Sequence, residues 1–246
     1  MTQAFLTPPA LRAAAVLLAT LAFVVSPAFT DGFSGFDPEL FPEPQRNPPV
    51  QPAGYAFGIW GLIYLWLLAH GTVGLVARRE DAGWDAARWP LIGSLVVGAG
   101  WIAVANASAV WATVMIWAML AGAVLALMRA PRGDGLARWI GTAPLGIYAG
   151  WLTAASCVSI GLMLGGYGMT SPRVAALIAL GVAVVLGLAV QLKLGRAPEY
   201  GLTLIWALVG VVVANTGQDA LVAGAAGAGI AAAAAAVWKV ARPVRA

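Results

Sequence analysis

The chain has 246 residues, of which 61% are hydrophobic and only 10% charged. Ordinary soluble domains carry roughly a quarter charged residues, and a soluble protein with so few could not cover its surface. The net charge of +4 then belongs to membrane topology rather than to nucleic acid, and no nucleic-acid partner is expected.

Apolar runs recur from end to end, and about 20 such residues carry a helix across a bilayer core. They predict eight spans, near residues 10–30, 54–77, 90–107, 109–129, 139–165, 172–193, 201–215 and 219–240. Nothing alternates apolar with polar over the roughly 10-residue segments of a membrane β-barrel. The expected fold class is therefore all-α, a polytopic membrane bundle. The first run could be read as a signal peptide, with Ser26-x-Ala28 as a small-residue cleavage site. Its flank carries no lysine and its single Arg12 abuts the apolar stretch, which favours a retained span. Pro38, Pro42, Pro44, Pro48, Pro49 and Pro52 mark a long first loop, and Pro131, Gly133 and Gly135 mark the fourth. Thr170-Ser171-Pro172 supplies a helix cap followed by a first-turn proline. The seventh run, near 15 residues, reaches only about 22 Å, so it reads as a re-entrant segment or one that crosses a thinned bilayer.

Charge supports an even count. With the N-terminus inside, the inward connectors carry Arg12; Arg78, Arg79 and Arg88; Arg129, Arg132 and Arg138; Lys193 and Arg196; and Lys239, Arg242 and Arg245. Only Arg46 and Arg173 of the 14 basic residues fall outside. Basic loops stay in the cytoplasm, so a multi-pass cell-membrane protein with both termini cytoplasmic is expected.

The chemistry is bounded by what is missing. No Asp, Glu, Lys or Arg sits near the middle of a predicted span, where such groups would mark ion or proton paths. His70 is the only histidine; it reads as a packed or interfacial imidazole, and no metal ligand set is expected. Cys157 is the only cysteine, so an internal disulfide is excluded. No acid–base pair suggests an enzyme.

Rings supply the positive signal. Nine of the 11 tryptophans, all but Trp206 and Trp238, lie between Trp60 and Trp151. On an α-helix Phe57, Trp60 and Tyr64 fall within about 60° of one another, and Tyr148, Trp151, Ala155 and Ser159 within about 80°. Gly54, Gly58 and Gly61 form a neighbouring stripe expected to admit another helix, as do Gly146-x-x-x-Gly150 and Gly161-x-x-x-Gly165. Helix packing, an interfacial belt and the wall of a pocket all account for such rings.

Pro52-x-Gly54-Tyr55-x-Phe57-Gly58-x-Trp60-x-x-x-Tyr64 resembles the signature opening the second helix of the TspO/MBR family. These are the tryptophan-rich sensory proteins, related to the translocator (peripheral benzodiazepine receptor) proteins. Tyr148-x-x-Trp151-x-x-x-Ala155 resembles the motif on that family's fifth helix. The chain departs from the pattern in spacing Phe57 and Trp60 three apart instead of four, and in carrying Gly98 and Ser159 where the family has asparagines. The resemblance divides the chain into a five-helix core, 1–165, and three additional helices, 166–246. It implies a porphyrin, haem or similar flat lipophile held between helices, in a sensory or transport role, by Phe57, Trp60, Tyr64, Trp101, Tyr148 and Trp151. Two other readings come from the residues. A carrier or channel for a small neutral solute would use Asn215, Gln218 and Asp219 at its mouth, and an assembly partner would use the Gly/Ala-rich eighth span. The expected partners are the bilayer, the hydrophobic ligand and, through the glycine-rich faces, a second copy of the chain.

Overall fold

The computed structural model describes residues 7–133 and 135–242; Arg245 of the basic tail lies outside them. Among the described residues all regular structure is helical, and eight helices are long and apolar enough to cross a bilayer. They are α1 (Pro8–Val25), α2 (Ile59–Val76), α3 (Ala82–Ala105), α4 (Ala109–Arg129), α5 (Ala143–Gly166), α6 (Pro172–Leu194), α7 (Pro198–Asn215) and α8 (Ala220–Ala241). The expected number and order of spans are what the chain forms.

Helix starts follow from caps. Free N–H groups of a first turn need acceptors, and Asp81, Ser108, Ser171 and Asp219 supply side-chain oxygens to α3, α4, α6 and α8. Two boundaries differ from the sequence reading. The third span begins at Ala82 instead of near 90 and runs through Pro90. Its charges can sit in a helix because they are paired: Arg12 Nε donates to Asp85 Oδ1 at 2.8 Å. Arg88, almost fully buried, donates to Asp85 at 3.0 Å and to the carbonyls of Pro9, Arg78 and Arg79 at 2.8 Å each. It thereby ties the turn after α2 to α3. The seventh span starts at Pro198 and has 18 residues, about 27 Å of helix, so it has the length to cross.

Helix α5 is the hub. In its most apolar window 72% of residues are buried, against 28% for α2 and for α8. Without a hydrophobic drive between helices in lipid, close approach depends on small residues. Gly146 lies against Glu199 and Tyr200, a Cβ on Gly150 would run into the Tyr200 carbonyl, and one on Gly161 would press on Val50 and Ala179. Helices α6 and α7 thus seat directly on α5. The Gly54, Gly58, Gly61 stripe behaves otherwise: a Cβ at any of the three would meet nothing within 4 Å. Among the described residues no helix closes on these three positions, although α7 meets the same turn through Tyr55 and Ala56, which corrects the expectation for that face.

Two irregular turns lead into ring-bearing helices. Gly54–Gly58 forms a 3₁₀ turn ahead of α2, and Ala137–Thr142 forms a wide π-helical turn ahead of α5. The first loop does not float above the bundle. Ala53 N donates to Gly210 O at 3.0 Å, Glu43 N to Gly166 O at 2.9 Å and Asn215 Nδ2 to Pro49 O at 2.8 Å.

Candidate functional site

The six ring-bearing positions come from four elements: Phe57 from the 3₁₀ turn, Trp60 and Tyr64 from α2, Trp101 from α3, and Tyr148 and Trp151 from α5. Four of the rings, Phe57, Trp60, Tyr64 and Trp151, touch in a chain, while Trp101 and Tyr148 join it only through phenylalanines outside the set. Trp60 stacks on Tyr64 at 5.4 Å, while Trp151 meets Phe57 edge-on at 5.8 Å and Trp60 at 6.2 Å. Three phenylalanines that sequence reasoning did not single out complete it. Phe23 of α1 touches Trp60, Tyr64 and Tyr148 at 5.3–5.8 Å. Phe33 of the first loop lies 4.6 Å from Trp101 and 6.3 Å from Phe57, and Phe36 lies 6.3 Å from Trp101. Edge-to-face pairs dominate, as the ring quadrupole favours.

Hydrogen bonds orient the inner rings. Trp101 Nε1 donates to Ala112 O on α4 at 2.9 Å. Ser94 Oγ gives its one proton to Met119 O at 2.7 Å, so the Tyr148 hydroxyl, 2.8 Å away, is the donor to Ser94. Tyr148 is fully buried and braces α5 against α3. Ser156 Oγ reaches Ile116 O of α4 instead of its own helix, whereas Thr153 and Ser159 bond four residues back.

Two cavities flank the cluster. One, of about 180 Å³, is walled by Phe23, Phe57, Trp60, Tyr64 and Trp101. The other, of about 60 Å³, lies between Phe57, Trp101 and Trp151 and reaches Ala179 of α6 and Leu204 of α7. Phe33, Phe57, Trp101 and Ile116 border both, so these side chains stand between the two spaces. Each void is smaller than the roughly 300–1,000 Å³ of a drug-sized pocket. The slot is largely filled by its own walls.

His70 stands apart from this wall. Its ring is buried and stacks on Trp84 at 4.9 Å; Nδ1 lies 2.8 Å from the carbonyl of Ile140, which can only accept, so Nδ1 carries a proton. At the far end of α7, the Asn215 amide is spent on Pro49 O and Val211 O, while Asp219 caps α8 and pairs with Arg173 at 2.6 Å.

Phe33 and Phe36 left a signal that could have been read: apolar rings three apart in a proline-rich loop must find somewhere to bury. No such signal marks Ala179 or Leu204, ordinary apolar residues of ordinary spans.

An eight-helix membrane bundle with an aromatic cluster between α1, α2, α3 and α5 defines the class. A model of the TSPO-like protein family matches residues 43–238, and the chain belongs to that family. The match runs through the C-terminal helices nearly to the end of α8. No curated protein and no solved structure gives a significant match.

Proposed function

We propose that this TSPO-like membrane protein binds a flat apolar molecule, a porphyrin or a lipophile of similar shape, in the ring-lined space between α2, α3 and α5. The role is sensory or transport and not catalytic. The observation that supports the reading is the pair of cavities that share Phe33, Phe57 and Trp101, the larger lined mainly by rings and the smaller by Trp151 and aliphatic side chains. Phe57 is rooted in a short turn and Trp101 is tied to α4, whereas Phe33 belongs to the first loop. Withdrawal of Phe33 joins the voids and frees ring faces for stacking on a planar guest. Haem fits this account as a stacked guest, because His70 lies with Trp84 and Ile140, away from the cavity walls.

Titration of the purified protein with protoporphyrin and haem, beside a sterol control, tests the reading through tryptophan quenching. Saturable quenching is expected, and Trp60→Ala or Trp151→Ala should weaken binding by about 1–3 kcal/mol, the scale of one lost stacking contact. Unchanged affinity in both variants removes the pocket assignment.

A further inference from the structure

The two cavities beside the ring cluster differ in what they offer a guest. The larger, of about 180 Å³, takes much of its wall from Phe23, Phe57, Trp60, Tyr64 and Trp101. The smaller lies between α5, α6 and α7 and reaches Val50 and Gln51 of the first loop. Five of its lining residues are alanines: Ala154 and Ala155 of α5, Ala179 and Ala183 of α6, and Ala207 of α7. Short side chains facing one another from three helices leave a space that longer ones would fill.

This second space is a slot. On α7 its lining runs from Leu204 to Val211, about 10 Å of helix, and on α5 from Trp151 to Leu162, about 16 Å. A single water needs about 10–15 Å³ of such space, so the 60 Å³ present has room for about four methylene-sized groups in a row. Water has little hold there. Among the described residues lining the slot none is charged, and Gln51 stands at its first-loop end. Ser159 Oγ donates to Ala155 O at 3.0 Å and Trp101 Nε1 to Ala112 O at 2.9 Å, so backbone engages both protons. Cys157 offers only a weak donor. Apolar voids of this kind stay dry and admit apolar guests, and left empty they forfeit dispersion contacts.

We propose that the slot is a tail site, and that the guest is a flat ring bearing a short hydrocarbon chain, alkyl or isoprenoid. The ring lies against Trp60, Tyr64 and Trp101, and the chain runs between α5 and α7. With a ring bound as proposed above, on which this assignment rests, its substituent has the adjoining slot to enter. Phe33, Phe57, Trp101 and Ile116 stand at the junction, and a guest that moves the loop ring Phe33 sets the first carbons of its chain there. Aromatic faces suit a planar ring by stacking. Alanine and leucine side chains give a flexible chain dispersion contacts on every side. Space for about four methylene-sized groups leaves no room for a second ring system of tetrapyrrole size.

The test titrates the full chain in nanodiscs of one lipid with the methyl, butyl and octyl monoesters of protoporphyrin, read by tryptophan quenching. The butyl ester is expected to bind wild type about tenfold tighter than the methyl ester, less than three methylenes gain on leaving water because lipid competes for the chain. The octyl ester should bind no tighter than the butyl ester, because the slot is then full. Ala207→Leu fills the slot and should bring the butyl-to-methyl ratio close to one while the methyl ester binds as before, which also reports a folded protein. Ala183→Val intrudes less, from α6, and should lower the ratio part of the way; it decides the matter where Ala207→Leu loses methyl ester binding as well. Equal affinity of wild type for the methyl and butyl esters overturns the tail site and leaves ring binding standing. A butyl preference undiminished in both variants overturns it too, as does an affinity that climbs by the same factor again to the octyl ester. Should no ester bind, ring binding itself fails and the tail site falls with it.

Discussion

The inner and outer faces of α2 make an instructive pair. On the inner face Trp60 and Tyr64 interlock with Phe23 and Trp151 until little space remains. On the outer face Gly58 and Leu62 border a groove of about 530 Å³, and a Cβ on Gly54, Gly58 or Gly61 would meet nothing within 4 Å. One helix carries both patterns, and each could have been read as helix packing. The difference lies in who must fill the space. Inside the bundle an unfilled volume forfeits dispersion contacts outright, so the protein supplies rings. At the lateral face lipid makes those contacts, and a hollow can persist.

Substitutions can break or sharpen that contrast. The largest effect is expected for Trp151→Ala, which empties the centre of the cluster and should cost about 3–5 kcal/mol of stability. Leu62→Ala on the groove side, where the side chain is about half exposed, should cost little. Thermal unfolding in one detergent compares the two, and equal losses would erase the distinction between a filled interior and a lipid-facing hollow. Next come the glycines. Gly150→Ala drives a methyl into the Tyr200 carbonyl and should cost about 1–3 kcal/mol. Gly61→Ala meets open space and should instead gain about 0.5–1 kcal/mol from helix propensity. A loss at Gly61 as large as that at Gly150 would mean that a neighbour covers the outer face. Tyr148→Phe removes only the bond to Ser94, whose own proton stays on Met119 O, so about 0.5–1.5 kcal/mol is expected, with porphyrin quenching little changed.

The smallest effect lies outside the membrane, at the Arg173–Asp219 pair. The hydrogen bond from Arg173 holds the Asp219 carboxyl below the usual carboxylate range. A depressed pKa gives stability that is present above the ordinary value and is lost as pH falls through the lower folded one. Asp219→Asn keeps a capping side chain but removes the charge. Wild type and variant should therefore differ slightly in melting temperature at neutral pH and converge well below about pH 4. A difference that persists in strong acid would show that the charge is not its source.

Much of the fold was legible because membrane insertion reads composition. Eight apolar runs give eight helices, since backbone polar groups in hydrocarbon must be satisfied within the segment. The stretch 82–89 escapes that logic because Asp85 and Arg88 look like a connector. They remain helical because Arg12 and the carbonyls near the end of α2 pair with them, contacts that lie 73 and 9–10 residues away in sequence. Three residues of α7 escape it for a related reason: Glu199 looks like loop until Arg138 is placed beside it.

The ring positions show the same division. Periodicity placed Trp60 beside Tyr64 and Tyr148 beside Trp151, because residues three and four apart share a helix face. It could not say that the two faces would meet, that Phe23 and Phe33 would enter between them, or that the glycine row would be left bare. The chain alone set how many segments can cross a bilayer and in what order, for that depends on the solvent each residue tolerates. Tertiary structure decided which faces became interior, because that depends on which distant segment arrives to share the space.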